Sequence, residues 1–528
     1  MSILVVDNFG GRLTRYNNGN INSGLAKYAT TGGADPFSNP GQLTWQEKPT
    51  QIDSGGSVIT DLIVAGKERV ESGISYIYAV GHTGRVYKIQ VNNPSTNNPD
   101  YDNPVLLTTL TSNSPTFKYG GFIDFFGATE RIYIGHDIGV TRLDFAGTNE
   151  TFVGSAGSYT ANVPRPLKQF GGVLYFGNGT NLGAIDSTAT VTTYGKFSPA
   201  FPTNCQVRDL DLSLDGNYLL AVVTRIPQAD ITLNTQDTNI ASNGESYIFK
   251  WNGTDISYTA FDTFPSYQLT ANTLLPNAQY TFGYDIAGAS VYNPTQKIIT
   301  PILSNAPMPN AVVGDAGIVA WGTTEFYNGF SRGVNFLYGN FDNEIGQGWW
   351  RQGIYPATGS QTDVLLQPFA LLVSNFGIGA STNGYTSGVY STAKVYFSMK
   401  EIAGSTPAYK FYKFYTVSTG TGTPMLGVYE TQTQLFSKKV KISEVRVYGK
   451  PWVANNSFTI DIIGSDGSTL TNASKTFTAG TNLTVGDDFA WYNPACKPTY
   501  AIGLRITNVG TVNHTINKVE IEYEPAGK

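Results

Sequence analysis

Histidine is the side chain best suited to proton transfer and metal binding near neutral pH. It occurs at only three places here, His82, His136 and His514. His82 and His136 stand at the same point of two similar segments, each directly after a glycine (Gly81, Gly135) that closes a strand-like run. A metal site would need both brought together with carboxylates or thiolates at ligand spacing, and no such cluster accompanies them. A repeated turn residue is the reading their positions support. Asp124 and Asp211 are acids that glycoside hydrolysis could recruit. In a β-rich chain the partners come from distant strands, so spacing assigns neither a role. The sequence has no Gly-x-x-x-x-Gly-Lys-Ser/Thr loop, no nucleophile elbow and no Cys-x-x-Cys pair. Catalysis, a cofactor and a resident metal are therefore not expected.

Binding chemistry is better represented. Phe326 to Tyr355 is dense in aromatics and glycine, and Trp349, Trp350 and Arg351 follow one another within it. Trp and Arg are the residue types enriched where interfaces concentrate their binding energy. This trio suits a subunit contact, a cap on a core, or a surface on which sugar rings stack. Trp45 sits in the turn-rich phrase Asn39-Pro-Gly-Gln-Leu-Thr-Trp45 and is a second candidate contact with a partner. Trp452, after Lys450-Pro451, reads as packing at a strand end.

The elements that must carry these residues are hairpins. Tyr76–Val80 and Arg85–Val91 flank a Gly-His-Thr-Gly turn, with the alternation of two-faced strands. The pattern recurs at Arg131–Phe145 and at Val173–Asp186, ending each first run in Gly135 or Gly177. It continues through Asp209–Val223 with Glu245–Trp251, Tyr280–Tyr292, Gly317–Tyr327, and Lys394–Lys400 with Ala408–Tyr415. Irregular repeats of one hairpin at roughly 40 to 55 residues predict an all-β chain with an irregular β-propeller of about seven blades over residues 51–430. The aromatic, Gly-rich stretch near 325–390 is expected as an insertion in it.

Beyond residue 430 the pattern changes to clean alternation. Val440 and Ile442 give way to Val445 and Val447 on the other parity, which predicts a bulge near Ser443-Glu444. Phe458, Ile460 and Ile462, then Ile502, Leu504 and Ile506, then Val519, Ile521 and Tyr523 alternate with polar residues. Residues 431–528 are expected to form a small antiparallel β-sandwich. Residues 1–50 show little periodicity and many amides, and are expected to form an extended arm that packs on a neighbouring surface.

Bulk properties agree with a chain that works through surfaces. Charged residues are 14% of its 528 residues, while aromatics are 13% and glycines number 58. A net charge of −5 argues against a nucleic-acid groove as the main task. Cys205 and Cys496 are too few for a disulfide-built scaffold. The most apolar stretch, Val364–Val373, is too short and interrupted to span a membrane. The opening Met-Ser-Ile-Leu-Val-Val-Asp has no basic leader, so synthesis is expected in the cytoplasm.

Two family likenesses bear on this reading. Arg225-Ile226-Pro227 matches a phrase of the sialidases, yet Ser213-Leu-Asp-Gly and Ser465-Asp-Gly-Ser break the turn spacing of that family. The order of arm, hairpin repeats at Gly81, Gly135 and Gly177, and closing Lys441–Tyr448 with Asn517–Tyr523 resembles something else. It is similar to the tail-hub, nozzle and packaged-DNA-stabilisation proteins of short-tailed bacteriophages. That resemblance implies a virion structural protein of the tail or neck, assembled as a ring. Its partners would be copies of itself and neighbouring portal, adaptor or tail proteins, without specific nucleic-acid binding. A host-surface glycan is the alternative partner, in a receptor-binding protein, and a carbohydrate-active enzyme a further alternative.

Overall fold

The computed structural model describes residues 1–7, 9, 28–36, 41–52, 58–92, 102–117, 121–203, 205–213, 216–224, 246–258, 423–526 and the strands between 260 and 415. Among these residues the regular structure is strand, apart from one short 3₁₀ turn at Ala156–Ser158. Seven small antiparallel sheets follow one another along the chain.

Blade one is Ile63–Glu71, Ile74–Gly81, Arg85–Gln90 and Asn103–Thr109. Blade two is Phe122–Phe126, Arg131–His136, Gly139–Leu143 and Thr151–Phe152. Blade three runs from Leu167–Phe170 to Val191–Thr193, blade four from Gln206–Leu212 to Ala260–Phe264, and blade five from Thr273–Leu274 to Ile298–Ser304. Blade six has three strands, Phe336–Gly339, Gly348–Gln352 and Phe369–Ser374. Blade seven is Gly388–Ser391, Lys394–Ala403 and Thr406–Tyr415, and Thr50–Gln51 from far upstream adds its fourth strand. The first strands of blades one to four pack consecutively, and the first strand of blade seven packs on that of blade one. The molecule is a β-propeller whose ring closes between blades seven and one.

Closure explains the composition of the repeat. Blade one is covered on both faces by its neighbours, so its middle strand must be apolar on both. Ile77, Tyr78, Ala79 and Val80 are all 0% exposed. Ile77 and Ala79 pack towards Tyr396 and Phe411 of blade seven, whereas Tyr78 and Val80 pack towards Ile123, Phe125 and Ile134 of blade two. The alternation read from sequence therefore separates two buried sides, not a buried side from a wet one.

The recurring glycine at the end of the second strand has a steric cause. A Cβ on Gly81 would collide with the Asp61 carboxylate, and one on Gly135 would collide with the carbonyl oxygen of Arg165. Between blades two and three Arg165 is itself buried. Its guanidinium donates to the Gly177 carbonyl at 2.9 Å, to Asn178 Oδ1 at 2.6 Å and to the Thr160 carbonyl at 2.6 Å. Blades seven and one are joined by Asp102, which accepts from Tyr396 Oη at 3.0 Å and pairs with Lys413.

The terminal sandwich draws on both ends of the chain. One sheet orders Ser2–Val6, Ile516–Pro525, the long strand Gln434–Gly449 and Phe489–Tyr492. The other holds Tyr28–Gly32, Val428–Thr431, Thr499–Asn508, Ser457–Ile463 and Thr469–Thr478. Gln434–Gly449 begins beside Thr499–Asn508 and ends in the first sheet, with a register shift between Ile442 and Glu444 where the parity changes. Val445, Val447, Phe458, Ile460, Ile462, Ile502, Leu504, Ile506, Val519 and Ile521 form its core.

The N-terminal segment, expected to reach a neighbouring surface, pairs within its own chain. Ser2 to Val6 lie opposite Tyr523 to Val519, and Leu43 and Ile516 exchange backbone hydrogen bonds of 2.8 and 2.9 Å. Alternating apolar residues on an edge strand find a better partner in an adjacent edge than in water.

Candidate functional site

The residues that sequence singled out for acid–base or metal chemistry each have a partner within the propeller. His82 pairs with buried Asp61, which also accepts from the Thr83 backbone and hydroxyl. His136 is buried with its Nε2 at 3.0 Å from Thr141 Oγ1, and burial together with nearby Arg165 pulls it down to about 3. Asp124 meets Lys67 of the preceding blade at 2.8 Å, and Asp211 meets Lys168 at 2.9 Å. Both pairs link first strands of adjacent blades. Among the described residues no group of three or more His, Cys, Asp and Glu side chains is arranged to hold a metal. Cys205 and Cys496 are not joined.

The expected partner contacts are placed differently. Trp45 is 0% exposed and sits in the sandwich core, so its side chain offers no surface to a partner in this chain. Its indole N–H donates to His514 Nε2 at 2.9 Å, and the Asn513 amide brackets its backbone at 3.3 and 2.8 Å. An indole with a buried acceptor and a bracketed peptide packs better than one at a wet surface. Trp452 is buried beside it against Phe458 and His514. Trp349, Trp350 and Arg351, expected in an insertion, lie in the middle strand of blade six. There Trp349 pairs with Tyr338 and Val373, Trp350 with Leu337 and Leu371, and Arg351 with Phe336 and Ala370. Gly317–Tyr327 and Arg225-Ile226-Pro227 lie outside the described residues.

The surface that stands out is the outward face of the first sandwich sheet. Antiparallel partners share a face, so the register writes it in rows. Trp491 lies opposite Arg446, Arg446 opposite Glu520, and Glu520 opposite Val5. Phe489 lies opposite Tyr448 and Tyr448 opposite Lys518; Glu444 lies opposite Glu522 and Glu522 opposite Ile3. Large apolar groups on this face remain in water: Trp491 is 55%, Phe489 36%, Val5 43% and Ile3 51% exposed. The alternate residues Ala490, Tyr492, Val445, Val447, Val519 and Ile521 point into the core.

Between the apolar ends runs a network of paired charges. Arg446 grips Glu444 with two bonds of 2.8 and 3.0 Å and reaches Glu522 at 2.8 Å. Glu520 accepts from Tyr448 Oη at 3.0 Å and pairs with Lys518 at 2.9 Å. The hydrogen bond from Lys518 holds the Glu520 carboxyl below its ordinary range, and Glu520 in turn raises the Lys518 ammonium. Lys518 Nζ also lies 4.2 Å from the Tyr448 ring centre, and Phe489 packs on that ring at 5.1 Å. The face is thus an ordered platform of aromatic rings and hydrogen-bonding groups. Sequence reading took the Lys518, Glu520 and Glu522 alternation as a plain wet side and passed over Phe489-Ala-Trp-Tyr492. That four-residue run with two outward rings was the available clue.

No family model and no curated protein matches the chain. Among solved structures it is similar to a chain of the mitotic checkpoint complex, at TM-score 0.40 and 10% identity over 70% of this chain and 95% of that one. It is similar to the Dos1 propeller at TM-score 0.41 and 9% identity, over 71% and 96%. It is also similar to the extracellular domain of a one component system from B. thetaiotaomicron, at TM-score 0.37 and 9% identity, over 88% and 61%. The likeness is one of fold and carries no argument about the site. Among the described residues no helix is long and apolar enough to cross a membrane.

Proposed function

We propose that this chain is a structural protein that works by presenting surfaces, as a component of a tailed-phage virion in the tail hub, nozzle or neck. One observation carries the reading. The described acids and histidines that sequence offered for catalysis are tied into packing, whereas the outward face of the terminal sheet keeps Trp491, Phe489, Val5 and Ile3 in water. Large exposed apolar groups beside polar ones mark a contact surface. The low charge, the Tyr, Gly and amide texture and the order of hairpin repeats and sandwich support the same assignment. In a ring assembly this face and blade six, with Trp349, Trp350 and Arg351 in its middle strand, are where copies and neighbouring portal, adaptor or tail proteins meet.

Immunogold electron microscopy of the source's lysate with antiserum to this protein tests the proposal. Gold at the tail base or neck is expected. Particles that carry no label would overturn it. A second reading, adhesion to a host surface, is favoured by the exposed indole of Trp491 beside ordered carboxylates; gold on peripheral fibres would support it over the first.

A further inference from the structure

The apolar groups left in water on the first sandwich sheet are not spread over it. Ile3 and Val5 stand on one outer strand, Ser2–Val6, and Phe489 and Trp491 on the other, Phe489–Tyr492. The two strands between them have no large exposed apolar side chain. They turn charged residues and Tyr448 outward, Lys441 opposite Glu524 among them. The sheet is thus apolar at both edges and charged in the middle.

Neither edge is protected. An exposed edge strand usually carries a charge, a proline or a bulge that stops another strand from pairing with it. Ser2–Val6 reads Ser-Ile-Leu-Val-Val and Phe489–Tyr492 reads Phe-Ala-Trp-Tyr, both in unbroken register with their inner neighbours. Thr469–Thr478, an edge of the other sheet, shows the protected form: it holds Lys475, and its register shifts around Asn472, whose φ is 60°. No described strand pairs with the outer side of Ser2–Val6 or of Phe489–Tyr492.

Strand direction decides how these edges can meet. Three antiparallel steps separate them, so the two outer strands run in opposite directions. A second copy set beside the first in the same sense therefore lays its Phe489–Tyr492 antiparallel to Ser2–Val6. Continuing the row Trp491, Arg446, Glu520, Val5 puts the copy's Trp491 opposite Val5 and diagonal to Ile3, with its Tyr492 opposite Leu4 on the core side. Leu4 already packs against the core to which Tyr492 belongs. A shift by two residues would instead set Asp7 opposite Asp487 of the copy, two like charges. A two-fold pairing of either edge with itself would leave the apolar groups of the other edge wet. The head-to-tail contact covers both sets, and contacts of this kind repeat into a ring when the rotation closes.

We infer that Ser2–Val6 of one copy pairs with Phe489–Tyr492 of a second copy, so that the first sandwich sheet runs on from subunit to subunit. The inference rests on the reading that copies of this chain meet at this sheet, and it adds which strands meet, in which direction and in which register. One strand pair of this length buries less than the roughly 1,200 Å² of a stable isolated pair of proteins, so the contact gains its strength when a ring makes each copy bind twice.

Disulfide trapping tests it, using the full chain with Cys496→Ser. Positions 5 and 491 of one chain lie three strand spacings apart, about 14 Å, too far for a disulfide within the chain. Oxidation of Val5→Cys/Trp491→Cys should therefore give a ladder of dimers, trimers and larger species on a non-reducing gel. Val5→Cys alone and Trp491→Cys alone should stay monomeric, and an equal mixture of the two should give a dimer and nothing larger. A double variant that stays monomeric would overturn the inference, and so would either single variant that dimerises as readily as the mixture. Without new thiols, sedimentation velocity should show the mass of the parent rising with concentration and Val5→Lys holding it at the monomer; a rise that survives Val5→Lys would also overturn it. A ladder without gold on virions leaves the pairing standing and removes the virion assignment, while gold on virions without a ladder removes the pairing alone.

Discussion

Trp45 and His514, 469 positions apart in sequence, are joined by a 2.9 Å hydrogen bond in the buried core of the terminal sandwich. The bond fixes the histidine as a neutral acceptor. Burial accordingly pulls His514 down to about 3 from its ordinary value near 6.5. The unfolded chain takes up a proton below pH 6.5 while the folded chain does not, so the stabilisation is complete above pH 6.5 and is lost as pH falls from there towards 3. His136, also held near 3, acts in the same direction. Each site should remove about 1.4 kcal/mol of stability per pH unit across that window. Thermal melts between pH 7 and 4 should show the decline, and His136→Asn should flatten part of it. A midpoint that does not move over this range would refute the assignment.

Removing residues 1 to 45 should unfold the sandwich. The cut deletes the strand Ser2–Val6, the Leu43 bridge to Ile516 and the Trp45 side chain. Trp45→Ala alone should cost about 3–5 kcal/mol. Limited proteolysis is the direct check, with cleavage expected throughout 430–526 in the truncated chain and absent in the parent.

Arg165→Met should loosen the seam between blades two and three. It takes a donor from the Gly177 and Thr160 carbonyls and from Asn178 Oδ1, which keeps the Thr160 N–H, at about 1–3 kcal/mol for each acceptor left unmet where water cannot reach. Burial lowers Arg165 to about 10 while nearby Tyr159 and Asp137 act in the opposite direction, so the guanidinium stays charged at neutral pH. Arg165→Lys should rescue little, since an ammonium lacks the planar fork that serves several acceptors at once. Hydrogen exchange localised to Val173–Asn178 and Arg131–His136 would report the loosening.

Asp102→Asn should weaken ring closure. Lys413, 3% exposed, would lose its carboxylate partner, at a cost of about 3–5 kcal/mol. The paired change Asp102→Leu with Lys413→Met should recover much of that loss, because both charges leave together. Urea unfolding of the two variants gives the comparison. A pair variant no more stable than Asp102→Asn would show that packing, not charge, governs the closure.

Much of the propeller was legible because its unit is short and local. Tyr76–Val80 with Arg85–Val91 needs only a turn to pair, so sequence alone located that hairpin, and the bulge near Ser443-Glu444 likewise announced itself by a change of parity. What escaped was everything decided over long separations. Thr50–Gln51 closes a blade built by Thr406–Tyr415, and Ser2–Val6 pairs with Ile516–Pro525; neither strand carries a mark naming its distant partner. Trp45 was misjudged for the same reason, because its acceptor His514 and its bracket Asn513 lie at the far end of the chain. Trp349, Trp350 and Arg351 were read as an insertion because glycine and aromatic richness looks alike in a loop and in a blade strand. The outward face was missed because exposure depends on which sheet side is covered, and its apolar members, Trp491 and Phe489 on one strand and Ile3 and Val5 on another, lie far apart in sequence.

The sandwich takes strands from before and after the ring, and this has a consequence in time. The ribosome releases Ser2–Val6 long before Ile516–Pro525, at about 5–20 residues per second. For most of synthesis the first strand has no partner, and Thr50–Gln51 waits almost as long for Tyr412 and Lys413. The blades can condense one by one as they emerge, but the ring must wait for Thr406–Tyr415 and the sandwich for Ile516–Pro525. A chain stopped before Thr406–Tyr415 would hold two unpaired edges, Ser2–Val6 and Thr50–Gln51, and those edges would be open to another nascent copy nearby.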